Sequence, residues 1–148
     1  MSFIAHGNLL PSLRGGASGA SLTSSQASVN TEETTTSTTY VDLTTSGPAV
    51  TISPGDTKDH LILIRCGINN GGAGPQQSLA SVSIAGASAA DGDAARLDQR
   101  GTPTDIGGTF FSVALALATA SGSTHTMKYR VTAGTGEFMD RRIVAIAL

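Results

Sequence analysis

The sequence predicts an all-β protein: an antiparallel β-sandwich, jelly-roll-like, with an extended N-terminal arm. Three observations lead there. From Thr34 onward, residues alternate with period two, the mark of strands that bury one face. Clusters such as Ser46-Gly47-Pro48, Ser53-Pro54-Gly55-Asp56, Asn69-Asn70-Gly71-Gly72, Asp91-Gly92-Asp93 and Gly134-Thr135-Gly136 supply turns between the runs. About eight short strands at that spacing make two packed sheets, and the lack of a fixed-length repeat argues against a solenoid or propeller.

The elements follow in order. Residues 1–33 hold an apolar patch, Phe3, Ile4, Leu9, Leu10 and Leu13, then a stretch of Gly, Ala, Ser and Thr. Such a segment buries too little apolar surface to offset ordering costs of roughly 1–2 kcal/mol per residue. It reads either as a disordered tail or as an arm that becomes ordered when its apolar residues dock on a partner, and the clustered leucines favour the arm. Residues 34–148 form the sandwich. The tract Thr34 to Thr39 leads into a first strand with Val41 and Leu43, followed by Val50 and Ile52 in the next. Leu61-Ile62-Leu63-Ile64 is apolar on both sides, so its strand has a second cover, another layer or a neighbouring subunit. Val82 and Ile84 oppose Ser81 and Ser83, and Ala95, Leu97 and Gln99 alternate with Arg96, Asp98 and Arg100.

Phe110 to Ala118 sets Phe111, Val113, Leu115 and Leu117 on one side and Phe110, Ser112, Ala114, Ala116 and Ala118 on the other. That alternation outweighs the helix propensity of its alanines. In Thr124 to Thr132 the apolar face carries His125, Met127, Tyr129 and Val131, and the chain closes on Ile143 to Leu148 with Ala145 and Ala147 small between larger neighbours. The small faces, Ala114/Ala116/Ala118, Ser81/Ser83 and Ala145/Ala147, suit close apposition to another sheet or subunit.

Composition narrows function. With no Trp, 4% aromatics and a net charge of −2, the chain has neither the basic surface nor the stacking rings of a nucleic-acid binder. Charged residues are 14%, below the ~25–35% typical of a monomer surface, which predicts homo-oligomerisation or incorporation into an assembly. No apolar run approaches the ~20 residues of a membrane crossing and no signal peptide is evident, so the chain reads as soluble without membrane insertion. The single cysteine, Cys66, excludes an internal disulfide and reads as a small buried hydrophobe.

Chemistry-bearing motifs are sparse. Asp91-Gly92-Asp93 with Asp98 and Asp105 lacks the ligand pattern of a Ca²⁺ loop and reads as an acidic surface turn. His6, His60 and His125 have no metal-ligand spacing, and His125 reads as a core or interface histidine. The hydrolase elbow is absent, and the Gly71 to Pro75 stretch lacks the Lys and Ser/Thr of a phosphate loop. The reading is therefore of a non-enzyme with no catalytic residues, no metal and no cofactor.

The stretch Thr38-Thr39-Tyr40-Val41-Asp42-Leu43-Thr44-Thr45-Ser46-Gly47-Pro48-Ala49-Val50-Thr51-Ile52, followed by a Leu/Ile-rich strand, resembles a β-sandwich domain of tailed-phage virion proteins. So does the close, Met127 to Val131 and then Gly134-Thr135-Gly136-Glu137-Phe138-Met139-Asp140-Arg141-Arg142-Ile143-Val144-Ala145-Ile146. The resemblance implies a head-decoration, head-spike or minor tail component located in the virion, without chemistry of its own. Its partners would be copies of itself, a trimer being one symmetry that fits, and capsid or tail proteins reached through Phe3, Ile4, Leu9, Leu10 and Leu13. A second reading is a glycan-binding lectin or adhesin module contacting host surface glycans through loops carrying Asn69, Asn70, Asp91 and Asp93. Absence of Trp weakens it, because sugar rings stack on aromatic platforms.

Overall fold

The computed structural model describes residues 22–71, 74–100 and 106–148. Nine strands carry the chain: β1 Ser24–Val29, β2 Glu33–Thr35, β3 Ala49–Ile52, β4 Lys58–Asn70, β5 Gln76–Ile84, β6 Ala95–Gln99, β7 Ile106–Thr119, β8 Ser123–Val131 and β9 Gly136–Ala147. All pairings are antiparallel, in a five-stranded sheet ordered β1-β9-β4-β7, with β2 also on β9, and a four-stranded sheet ordered β3-β8-β5-β6. Apart from the β5–β6 hairpin and the β1–β2 step, the chain crosses between sheets at each connection, which is jelly-roll winding.

The core lies between the sheets. Ile62, Ile64, Cys66 and Ile68 on β4 and Ile143 and Ala145 on β9 meet Val50, Ile52, Val82, Met127 and Tyr129 of the four-stranded sheet. Each strand contributes every second residue, as its pleat requires. Ala114 and Ala116 of β7 and Ala145 and Ala147 of β9 are buried, so these small faces serve the second sheet. Ala118, expected on the same face, is exposed: it adopts a left-handed φ of 46° where the β4–β7 register slips, which breaks the alternation and turns Thr119 inward instead.

Several stretches differ from the sequence expectation, two of them at the start of the sandwich. Ser24–Val29, expected within the arm, pair as β1 with β9 along their whole length. This Ser-rich strand has little apolar signal, but ladder hydrogen bonds to β9 need no particular side chain, and Ala27 packs on the core. Val41 and Leu43, expected in a strand, do not form one: Val41 makes a single bridge to Tyr129, while Leu43 drops into the core.

That segment is pinned by a buried arginine. Arg141 on β9 is fully buried; its Nη2 donates to Glu33 Oε2 at 2.6 Å and to the Thr31 carbonyl at 3.3 Å, and its Nη1 to the Thr45 carbonyl at 3.3 Å. Glu33 Oε1 accepts from the Thr45 amide at 2.7 Å. Burial would raise the Glu33 pKa, but the bonds from Thr45 and Arg141 outweigh it and hold the carboxyl below its ordinary value. The Tyr129 hydroxyl donates to the Gly47 carbonyl at 2.8 Å, fixing the far end of the segment.

Candidate assembly surface

The outer face of the five-stranded sheet is built from three cross-strand rows. Strand β7 directs Phe111, Val113, Leu115 and Leu117 outward because Ser112, Ala114 and Ala116 take the other side of the pleat. The register then sets Leu115 beside Leu61 beside Ile146, Val113 beside Leu63 beside Val144, and Phe111 beside Arg65 beside Arg142. On the far side of β9 the same rows end on Ser24, Gln26 and Ser28 of β1. The face is therefore apolar at β7 and grades to polar at β1.

Nothing in the described chain covers the apolar side. Phe111 is 71% exposed, Val113 58%, Leu115 54% and Leu117 68%. Strand β7 contains no charged residue, and its outer edge pairs with no described strand. Long uncharged edge strands of this kind are templates for association, which natural monomers blunt with charge, proline or a covering loop. A hollow of about 260 Å³ lined by Leu63, Ile64, Arg65, Phe111, Arg142 and Val144 opens on this face.

The two arginines mark its polar limit. Arg65 and Arg142 stand directly opposite each other on β4 and β9, and Arg142 Nη2 donates to Gln26 Oε1 at 2.5 Å. Just beyond them the β4–β9 register slips between Arg65 and Gly67, and Asp140 adopts a left-handed φ of 46°. This is a β-bulge, which locally re-aims the strand. Gly67 fits the close approach there: a Cβ on it would lie 2.7 Å from Met139 Cγ and 3.2 Å from the Met139 carbonyl oxygen, so Met139 would have to shift.

The other sequence-derived candidates do not converge. Phe3, Ile4, Leu9, Leu10 and Leu13 lie outside the described residues. Asn69 and Asn70 belong to β4 and not to a loop. Asn70 is fully buried, with its Oδ1 accepting from the Ser78 hydroxyl, so the structure withdraws it from any glycan contact. Asn69 Nδ2 donates to Glu137 Oε2 at 2.9 Å. Asp91 and Asp93 form a single 3-10 turn over the four-stranded sheet, remote from the asparagines. The Asp91 carboxylate is occupied: Arg130 bonds both its oxygens, and the Tyr40 hydroxyl donates to Oδ1 at 2.9 Å. The Arg130 bonds hold the Asp91 carboxyl below its ordinary pKa, while burial and the neighbouring Asp91 push the Tyr40 hydroxyl up to about 12. A cleft of about 540 Å³ lies beside this group.

Two buried features were legible as core and prove so. Cys66 is fully buried, and burial pushes its thiol up to about 12, which leaves it an inert packing group. His125 is fully buried and meets His60 of β4, Nε2 to Nδ1 at 2.9 Å with the rings nearly perpendicular. Burial, then the neighbouring imidazole, lowers the His125 pKa, and the contact between the two rings bridges the sheets. Among the described residues no helix is long and apolar enough to cross a membrane.

No family model matches the chain, and no curated protein matches it. A solved structure titled "Structure of infectious bursal disease virus Gx strain" is similar at a TM-score of 0.46 and 7% sequence identity, over 85% of this chain and 32% of that one. This chain thus corresponds to less than two thirds of that chain's length.

Proposed function

We propose that this protein is a non-enzymatic structural subunit of a virus particle, acting by packing. In the finer form implied by its sequence, it is a head-decoration, head-spike or minor tail component of a tailed phage or phage-like particle, resident in the virion. The observation that carries this reading is the bare apolar side of the five-stranded sheet, an outward row from Phe111 to Leu117 on an uncharged edge strand. A protein that works as a free monomer has no use for it; a subunit that is covered on assembly does. Jelly-roll domains host capsid and lectin roles alike, which agrees with this choice only as analogy.

Attachment to a capsid or tail protein falls, in this reading, to Phe3, Ile4, Leu9, Leu10 and Leu13. Because β1 begins at Ser24, the deletion that isolates this role removes residues 1–21 and spares β1. The shortened chain is expected to remain a folded β protein that no longer co-sediments with particles. Undiminished particle occupancy would refute the docking role, and absence of the full chain from purified particles would refute the virion reading.

A further inference from the structure

We infer that the outer face of the five-stranded sheet packs against the same face of a second copy of this chain. The inference rests on the assembly reading above and names the partner of that surface. Area is the first argument. At ~150–200 Å² per large apolar side chain, the exposed fractions of Phe111, Val113, Leu115 and Leu117 leave roughly 400 Å² of apolar surface. That is about half of the ~800 Å² each partner contributes to a stable interface. Leu63, 37% exposed, and the partly buried Leu61, Val144 and Ile146, in the same rows, extend it further.

Chemistry is the second argument. Charge enters the three rows only at Arg65 and Arg142. A partner with a polar centre would be desolvated against leucine and valine without a bonding group to meet it. The same face turned on itself offers apolar side chains to apolar side chains, which is the self-complementarity that a two-fold contact demands. The position of the arginines selects the axis. A two-fold running along the strands would set the Arg65 and Arg142 pair of one copy over the same pair of its partner. One running across the strands, at the row of Val113, Leu63 and Val144, sends the two pairs to opposite ends of the contact, where each faces the partner's Leu61 and Ile146 and the arginine stems lie on apolar surface with their heads at the rim. The second arrangement is the one that avoids like charges.

The test is the mass of the full chain in solution, by light scattering across a concentration series. An assembly of paired copies is expected. Leu115→Glu and Val113→Lys should each halve the mass while melting as the unsubstituted chain does when diluted to the monomer, because both positions are exposed. Thr126→Lys, on the outer face of the other sheet, should leave it unchanged. In the paired species Val113→Cys should cross-link to its own copy with a short bis-maleimide, and Thr126→Cys should not. A chain that stays monomeric at high micromolar concentration, or pairs equally well with both charged variants, overturns the inference. So does a monomer whose β7 amides are protected from exchange until residues 1–21 are deleted. Monomeric charged variants that still join particles would support the pairing while detaching it from attachment. A paired chain that never associates with particles would instead leave this inference standing and remove the virion reading.

Discussion

The two sheets of this sandwich treat their outer sides differently, and one pair of leucines makes the contrast. Leu79 on β5 and Leu115 on β7 both point away from the core, yet Leu79 is 1% exposed and Leu115 54%. Over the four-stranded sheet the chain supplies its own cover. The 85–90 loop folds back so that Ser81 and Ser83 hydroxyls donate to the Ala90 and Ala87 carbonyls, at 2.6 Å each. Residues 37–48 run along β8, with Ser37 and Pro48 carbonyls accepting from Val131 and Met127, and ion pairs Asp42–Lys128 and Asp91–Arg130 seal the surface. The described chain offers the five-stranded sheet no such covering. One side is finished within the subunit, and the other is bare among the described residues.

The largest expected effect comes from undoing the finished side. Arg141→Ala leaves Glu33 without its cation and frees the 31–45 segment, so it should cost about 3–5 kcal/mol in a urea titration, the usual cost of breaking a buried ion pair. A loss below about 1 kcal/mol would mean that the cover is held by packing alone. Next is Leu79→Ala, expected to cost about 2–4 kcal/mol by the same measurement, since a buried leucine leaves a cavity.

A smaller effect tests what the two sheets share. The His125 pKa is depressed in the folded protein, so the unfolded chain takes up its proton first as pH falls. Stability should therefore be full above pH ~6.5 and decline below it until the folded pKa is reached, with a slope of at most about 1.4 kcal/mol per pH unit for one proton. His125→Asn should flatten that part of the profile; an unchanged slope would assign it to other groups. The smallest effect belongs to the unfinished side: Leu115→Ala should change the monomer's stability by no more than about 0.5 kcal/mol. If Leu115→Ala proves as costly as Leu79→Ala under dissociating conditions, the two faces are not different after all.

Much of this was legible in the residues. The strands around Val50, Leu61, Val82, Leu97, Val113, Met127 and Ile143 were each marked by alternation and by turn residues at their ends, and they are β3 to β9. Strands β1 and β2 were not, because Ser24–Val29 and Glu33–Thr35 are bound mainly through the backbone and carry no apolar stripe. Asn70 looked like a turn residue because Gly71 and Gly72 follow it, and only its approach to Ser78 across the core shows a buried polar contact. Glu33 and Arg141, far apart in sequence, gave no local sign of pairing.

Alternation along each strand is a local property, so the sequence by itself determined the β architecture, the inner and outer sets of residues, and the scarcity of charge. It also marked the large and small sides of β7. Which of those sides meets the core was decided by tertiary structure, because burial depends on what lies opposite: the narrow space beneath β7 accepts Ala114 and Ala116, and the bulky row is left outside. The same holds for the cover of each sheet, since a leucine is hidden or bare according to where distant loops return, and that is set by contacts no short stretch of sequence contains.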